Sequence, residues 1–142
     1  MNTIDPTLAL AYARAIYVVD WGRRGLLLRP GATVAHWELH FGARSAAFIT
    51  ACNPMGQVVP AVDNRAAMAR LRERVARAGL RWLEGEGRSP SADWPPEPSL
   101  LILGIGADRA HALAAEFRQN ALLLIDAEGV VTLAFTRSPC AP

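Results

Sequence analysis

Apolar positions along the chain recur at two spacings, one helical and one of strand type, and the switches between them outline the elements. Leu8, Tyr12 and Ile16 follow helical spacing behind Asp5-Pro6. An Asp there accepts from the free first-turn amides, and a Pro needs no donor at that position. Tyr17 to Trp21 and Leu26 to Leu28, around Gly22-Arg23-Arg24-Gly25, predict a hairpin. Thr33 is placed to cap a short helix through about His40, with Gly42 as its left-handed stop. Ala46 to Thr50 is a short apolar run of strand type, followed by a loop from Ala51 to Val62.

The clearest helical stripe is Met68, Leu71, Val75 and Ala78, in a helix beginning at Asp63 or Asn64 and stopped by Gly79. Leu80 to Leu83 reads as a strand. Glu84 to Pro98 is dense in Gly, Pro and Ser, and a connection of that length within a compact domain points to a functional or mobile segment. Ser99 to Ile105 is a buried strand, and Asp108 opens a helix with Ala110, Leu113, Ala114 and Phe117 on one face. Ala121 to Ile125 and Val130 to Phe135 form a hairpin around Asp126-Ala127-Glu128-Gly129, with Gly where positive φ is wanted. The strand-helix-strand units Ala46 to Leu83 and Ser99 to Ile125 favour parallel pairing, and the flanking hairpins favour antiparallel pairing. Together they predict an α+β fold with a mixed sheet and packed helices, in one domain over 1–136 with a flexible tail over 137–142.

Composition narrows the class. A chain of 142 residues, 51% apolar and 20% charged, suits one core and excludes the disordered and polyelectrolyte classes. All fifteen basic residues are Arg, with thirteen acids offsetting them to a net +2, so charge names no partner. Cys52 and Cys140 are too few for a disulfide framework. The N-terminus lacks a leader pattern and no apolar run is long enough to span a membrane, which points to a cytoplasmic protein.

Candidate chemistry gathers around the strand ends. Thr50, Cys52 and Asn53 follow the Ala46 strand, Pro54 biases Asn53 toward extended backbone, and Asn64 begins the next helix. Ligands favour the space beyond such strand ends, although Asn also closes turns and caps helices. Glu97 and Ser99 flank the buried strand and Gln119-Asn120 precedes the last hairpin. Glu97 is the candidate acid-base group and Ser99 a hydroxyl it could orient, with no His in a triad position. Asn120 alternatively serves as a left-handed helix stop.

Other features carry bland explanations alongside the chemical ones. Cys52 is either a nucleophile near helix amides or a small buried hydrophobe. His36 and His40 at i, i+4 lack the adjacent Glu and third ligand of a zinc site, and no cofactor is implied. Gly104-Ile105-Gly106 has Arg109 where a dinucleotide loop needs glycine, which favours a structural turn. Arg70, Arg74, Arg77 and Arg81 share one side of the central helix, either as a phosphate-facing stripe or as a solvated face relieved by Glu73.

Several runs in order resemble a bacterial family known as domain of unknown function 3293. They are Phe48-Ile49-Thr50-Ala51-Cys52-Asn53-Pro54, Asn64-Arg65, Trp94, Glu97 through Gly104, and Phe117-Arg118-Gln119-Asn120-Ala121. The resemblance spans roughly Tyr12 to Leu133. It implies a fold unit and a set of polar positions, since the family carries no assigned activity. Such family members are expected to have Asp where this chain has Ser89, which weakens a carboxylate or metal role for that loop. The functional expectation is that Thr50, Asn53, Asn64, Glu97, Ser99, Gln119 and Asn120 converge on one concave edge and bind a small polar ligand, with hydrolysis or group transfer as the chemistry in view. The alternative is a nucleic-acid or protein interaction module using the Arg stripe.

Overall fold

The computed structural model describes residues 3–91 and 93–137. Helix α1 (Pro6–Arg14) begins as its sequence dictates, with the Asp5 carboxylate accepting from the Thr7 amide at 2.7 Å. Strands β1 (Ile16–Val19) and β2 (Leu26–Leu28) form the expected hairpin, with Gly22 and Gly25 at positive φ. Helix α2 (Trp37–Phe41) ends at Gly42, which is left-handed with φ 63. Thr33 does not cap it; it forms a bridge to Val130, and the left-handed residue before α2 is His36.

Strand β3 (Ala46–Ile49) leads to α3 (Ala61–Arg77), which starts ahead of Asn64: Pro60 is its N-cap residue, and the Pro60 carbonyl accepts from the Asp63 amide at 2.9 Å and the Asn64 amide at 3.2 Å. Strands β4 (Arg81–Arg88) and β5 (Glu97–Leu103) follow, so both ends of the segment expected to be irregular are paired sheet. The irregular connection shrinks to the residues between them. Helix α4 (Ala107–Glu116) is preceded by Gly106, so Asp108 sits within its first turn and does not cap it. Strands β6 (Ala121–Ile125) and β7 (Val131–Phe135) close the chain as a hairpin, with Gly129 at φ 85.

Among the described residues seven strands form one sheet in the order β2-β1-β4-β5-β3-β6-β7, with every pairing there antiparallel. The α+β class is as expected; the parallel pairing is not. Each strand-helix-strand unit does return its second strand in the direction of the first. Yet β5 lies between β3 and β4, and β3 lies between β5 and β6. The two units interlock, giving the split βαβ arrangement of ferredoxin-like folds.

Alternation along the strands divides the core into two faces. On one, Ala47, Ile49, Leu100, Ile102 and Leu122 pack against Met68, Leu71 and Val75 of α3 and Ala110, Leu113 and Ala114 of α4. Those three α3 side chains are at most 2% exposed, as the stripe requires. On the other face, Phe48, Leu101, Leu103, Leu123 and Ile125 meet Trp37 and Phe41 of α2. The short α2 covers only part of this face. Gly85 lets β1 and the Phe48 ring close over β4, because a Cβ there would lie 2.5 Å from the Val18 carbonyl oxygen and 2.9 Å from Phe48. Among the described residues no helix is long and apolar enough to cross a membrane. Of the tail, residues 138–142, including Cys140, lie outside the described residues.

Candidate functional site

Where α2 leaves the second sheet face uncovered, α1 and the connection after β4 roof it and enclose a cavity of about 450 Å³. Tyr17, Phe48, Ser99, Ala121, Leu123 and Leu133 form its sheet side. Leu8, Ala11 and Tyr12 face it from α1, Arg88 from the end of β4, and Ser89 through Ser91, Asp93 and Trp94 from the connection. The cavity sits at the end of β3 and the start of β5 because those strands shed apolar residues there: Phe48 gives way to Thr50, and Leu101 to Ser99 and Glu97, on the same face.

Glu97 is the polar centre. Its Oε2 accepts from the Asn53 side-chain amide at 2.7 Å and from the Trp94 indole N–H at 3.0 Å. Its Oε1 receives no hydrogen bond among the described residues and is not sealed off by them. Asn53 is itself fixed on every side. Its backbone N–H donates to Asn64 Oδ1 at 2.8 Å, while its own Oδ1 accepts from Asn64 Nδ2 at 3.0 Å and from the Val59 amide at 3.1 Å. Its backbone is left-handed, with φ 47 and ψ 63, and not extended as its proline neighbour suggests. Asn tolerates that region, and the paired bonds to Asn64 compensate for it. Burial raises the Glu97 carboxyl above its ordinary range, against the lowering effect of Asn53 and Trp94.

The family described as Protein of unknown function (DUF3293) matches residues 49–122, just over half of the 142. This chain belongs to that family. No curated protein and no solved structure matches it. The matched DUF3293 segment contains Thr50, Asn53, Asn64, Glu97, Ser99, Gln119 and Asn120, whereas Tyr12, Tyr17 and Leu133, also lining the cavity, lie outside it.

In this DUF3293 chain Thr50, Asn53, Glu97, Ser99 and Gln119 line the cavity together. Asn64 and Asn120 stand one step behind. Asn64 braces Asn53, and Asn120, 1% exposed, donates to the Tyr12 hydroxyl at 3.2 Å and accepts from the Arg137 guanidinium. Asn120 is not the left-handed stop of α4; Arg118, with φ 58, takes that conformation. The Ser99 hydroxyl donates to the Glu97 main-chain carbonyl at 2.9 Å, so the carboxylate does not orient it. Thr50 donates to the Pro98 carbonyl at 2.7 Å, and Gln119 to the Cys52 carbonyl at 3.0 Å. These bonds tie the strand ends together.

Sequence reasoning omitted Tyr12, Tyr17, Phe48 and Trp94 from the site. Tyr12 and Phe48 lay in apolar runs that suffice for packing, but Trp94, isolated in a polar connection, was a signal. The Tyr17 hydroxyl donates to the Tyr12 carbonyl, and burial holds both tyrosines above their ordinary range. Arg137, assigned to the tail, is fastened to the body through Asn120.

Most of the competing features find structural partners, although Arg70 and Arg81 of the stripe take part in no salt bridge among the described residues. Burial pushes the Cys52 thiol up, so it stays protonated at neutral pH, unlike an activated nucleophile. His36 and His40 pack in a T-shaped contact with ring centroids 6.1 Å apart, and His40 also meets Trp21. Gly104 turns the chain at φ 83. In the stripe, Arg74 is bidentate to Glu116 and Arg77 pairs with Glu73. Glu84 pairs with Arg72, which is not part of the stripe. Asp93 places a carboxylate against Ser89 and Ser91, in the loop where Ser89 replaces the expected Asp.

Proposed function

We propose that this domain is a cytoplasmic small-ligand binding module of bacterial origin, with the cavity under α1 as its binding site and Glu97 as its polar anchor. The observation that carries the reading is the division of labour on one carboxyl group. Asn53 and Trp94 hold one oxygen in place, and the other is left for a ligand. A mostly apolar cavity with a few convergent polar groups is the usual form of a small-molecule site. If the ligand reacts, Glu97 supports hydrolysis or group transfer as the acid or base, since a raised carboxyl pKa brings it nearer to working pH. The Arg stripe supports an interaction module less well, because Arg74 and Arg77 already have carboxylate partners. The bacterial part of the proposal rests on the family resemblance, and the cytoplasmic part on the scarcity of cysteine.

A thermal-shift screen of polar metabolites tests the reading, using wild type, Glu97→Gln and the cavity-narrowing Ala121→Phe. Compounds that stabilise wild type and lose their effect in both variants are expected. Shifts that persist in both variants place binding elsewhere and contradict it.

A further inference from the structure

The cavity combines a carboxyl group with aromatic walls, and among the described residues it supplies that group with no counter-ion. Tyr12, Tyr17, Phe48 and Trp94 all line it, with Tyr17 edge-on to Phe48 at 5.8 Å between ring centroids. Glu97 takes part in no salt bridge among the described residues. The two arginines that touch the cavity do not change this. Arg88 is bonded to Glu86, and Arg14 lies in the exposed last turn of α1. The remaining acid of the lining, Asp93, is occupied by Ser89 and Ser91.

A half-buried carboxylate without a counter-ion is costly, and a ligand that brings positive charge removes that cost. Aromatic faces favour the same charge through the ring quadrupole. We infer that the cavity selects a small organic cation, an ammonium group on an apolar body, with the ammonium at Glu97 Oε1 and the body against the aromatic walls. This rests on the ligand-cavity reading above and names the class of molecule. A guanidinium or amidinium is a poorer match, because its fork wants both carboxylate oxygens and Oε2 is already taken by Asn53 and Trp94. An ammonium is a point charge that one oxygen can satisfy. An anionic ligand would meet Glu97 with like charge.

Three probes of matched shape separate the possibilities: 2-phenylethylamine, 2-phenylethanol and 3-phenylpropanoate, titrated into the full chain by amide-detected NMR. The amine is expected to bind roughly tenfold or more tightly than the alcohol, a gap of about 1.4 kcal/mol, and the carboxylate more weakly still. In Glu97→Gln the amine and alcohol should converge to within about twofold. The variant's spectrum away from the cavity reports that it is folded. Cavity binding in which the alcohol or carboxylate equals or exceeds the amine overturns the cation inference and leaves the ligand cavity standing. An amine preference that survives Glu97→Gln also overturns it. If none of the three shifts cavity resonances, both readings fall.

Discussion

The Asn53 side chain donates to Glu97 across 44 residues of sequence, and it does so from a backbone conformation that few residues accept. The loop after β3 and the start of β5 are thereby locked to each other. Asn53 therefore has two separable jobs, one in its amide and one in its φ. Asn53→Ala should destabilise the fold by about 2 to 4 kcal/mol, from a lost bond to an ionisable group plus left-handed strain. Asn53→Gly should recover about 1 kcal/mol of that, since glycine relieves only the strain. Equal losses in urea unfolding would show that backbone strain plays no part.

Glu97→Gln can keep both hydrogen bonds to Oε2 while removing an ionisable group whose pKa is raised by burial. The folded chain holds the Glu97 proton to higher pH than the unfolded chain does. Between the two pKa values the folded state binds more protons, so wild-type stability falls as pH rises through that window. The variant has no such loss. Its melting temperature relative to wild type should climb as pH rises above the ordinary carboxyl value of 4.5 and level off beyond the folded pKa. A difference that is flat with pH would refute the raised pKa.

Helix α1 roofs the cavity with no fully buried residue of its own, and the Tyr12 hydroxyl is one of its fastenings. Tyr12→Phe leaves the buried Asn120 amide without that acceptor, at a cost of roughly 1 to 3 kcal/mol. Amide exchange in α1 should accelerate more than exchange in α3, which is held by Met68, Leu71 and Val75. Uniform acceleration through both helices would mean that α1 does not open separately.

Much of this fold was legible from periodicity. The α3 stripe, the two terminal hairpins and the β3 and β5 runs follow directly from apolar spacing. Adjacency was not legible: a strand-helix-strand unit fixes the direction of its second strand but not whether another strand slips between. The length of β4 was hidden by Gly85 and Gly87, which read as loop residues. Gly85 is required because β1 and Phe48 approach too closely for any Cβ. Within the site, the polar set at the strand ends could be gathered from sequence because Asn, Gln, Ser and Glu are conspicuous beside apolar runs. The aromatic half could not, since Tyr12 and Phe48 look like ordinary packing residues until a helix is laid across the sheet.

The salt-bridged stripe offers a control. Arg74 and Glu116 are both about half exposed, at 49% and 45%, so Arg74→Ala should cost under about 1 kcal/mol in stability. Binding of this chain to mixed-sequence RNA should be weak and unaltered by the change. Tight, salt-sensitive binding lost in Arg74→Ala would favour the interaction module.

A crystallographic fragment screen tests the central claim most directly, because it lets small molecules choose among all surfaces of the chain. Fragments are expected to collect in the cavity beneath α1, with a polar atom within hydrogen-bond distance of Glu97 Oε1. Fragments clustering instead in the groove lined by Arg70, Arg74, Arg77 and Arg118, with the cavity beneath α1 left empty, would contradict the account.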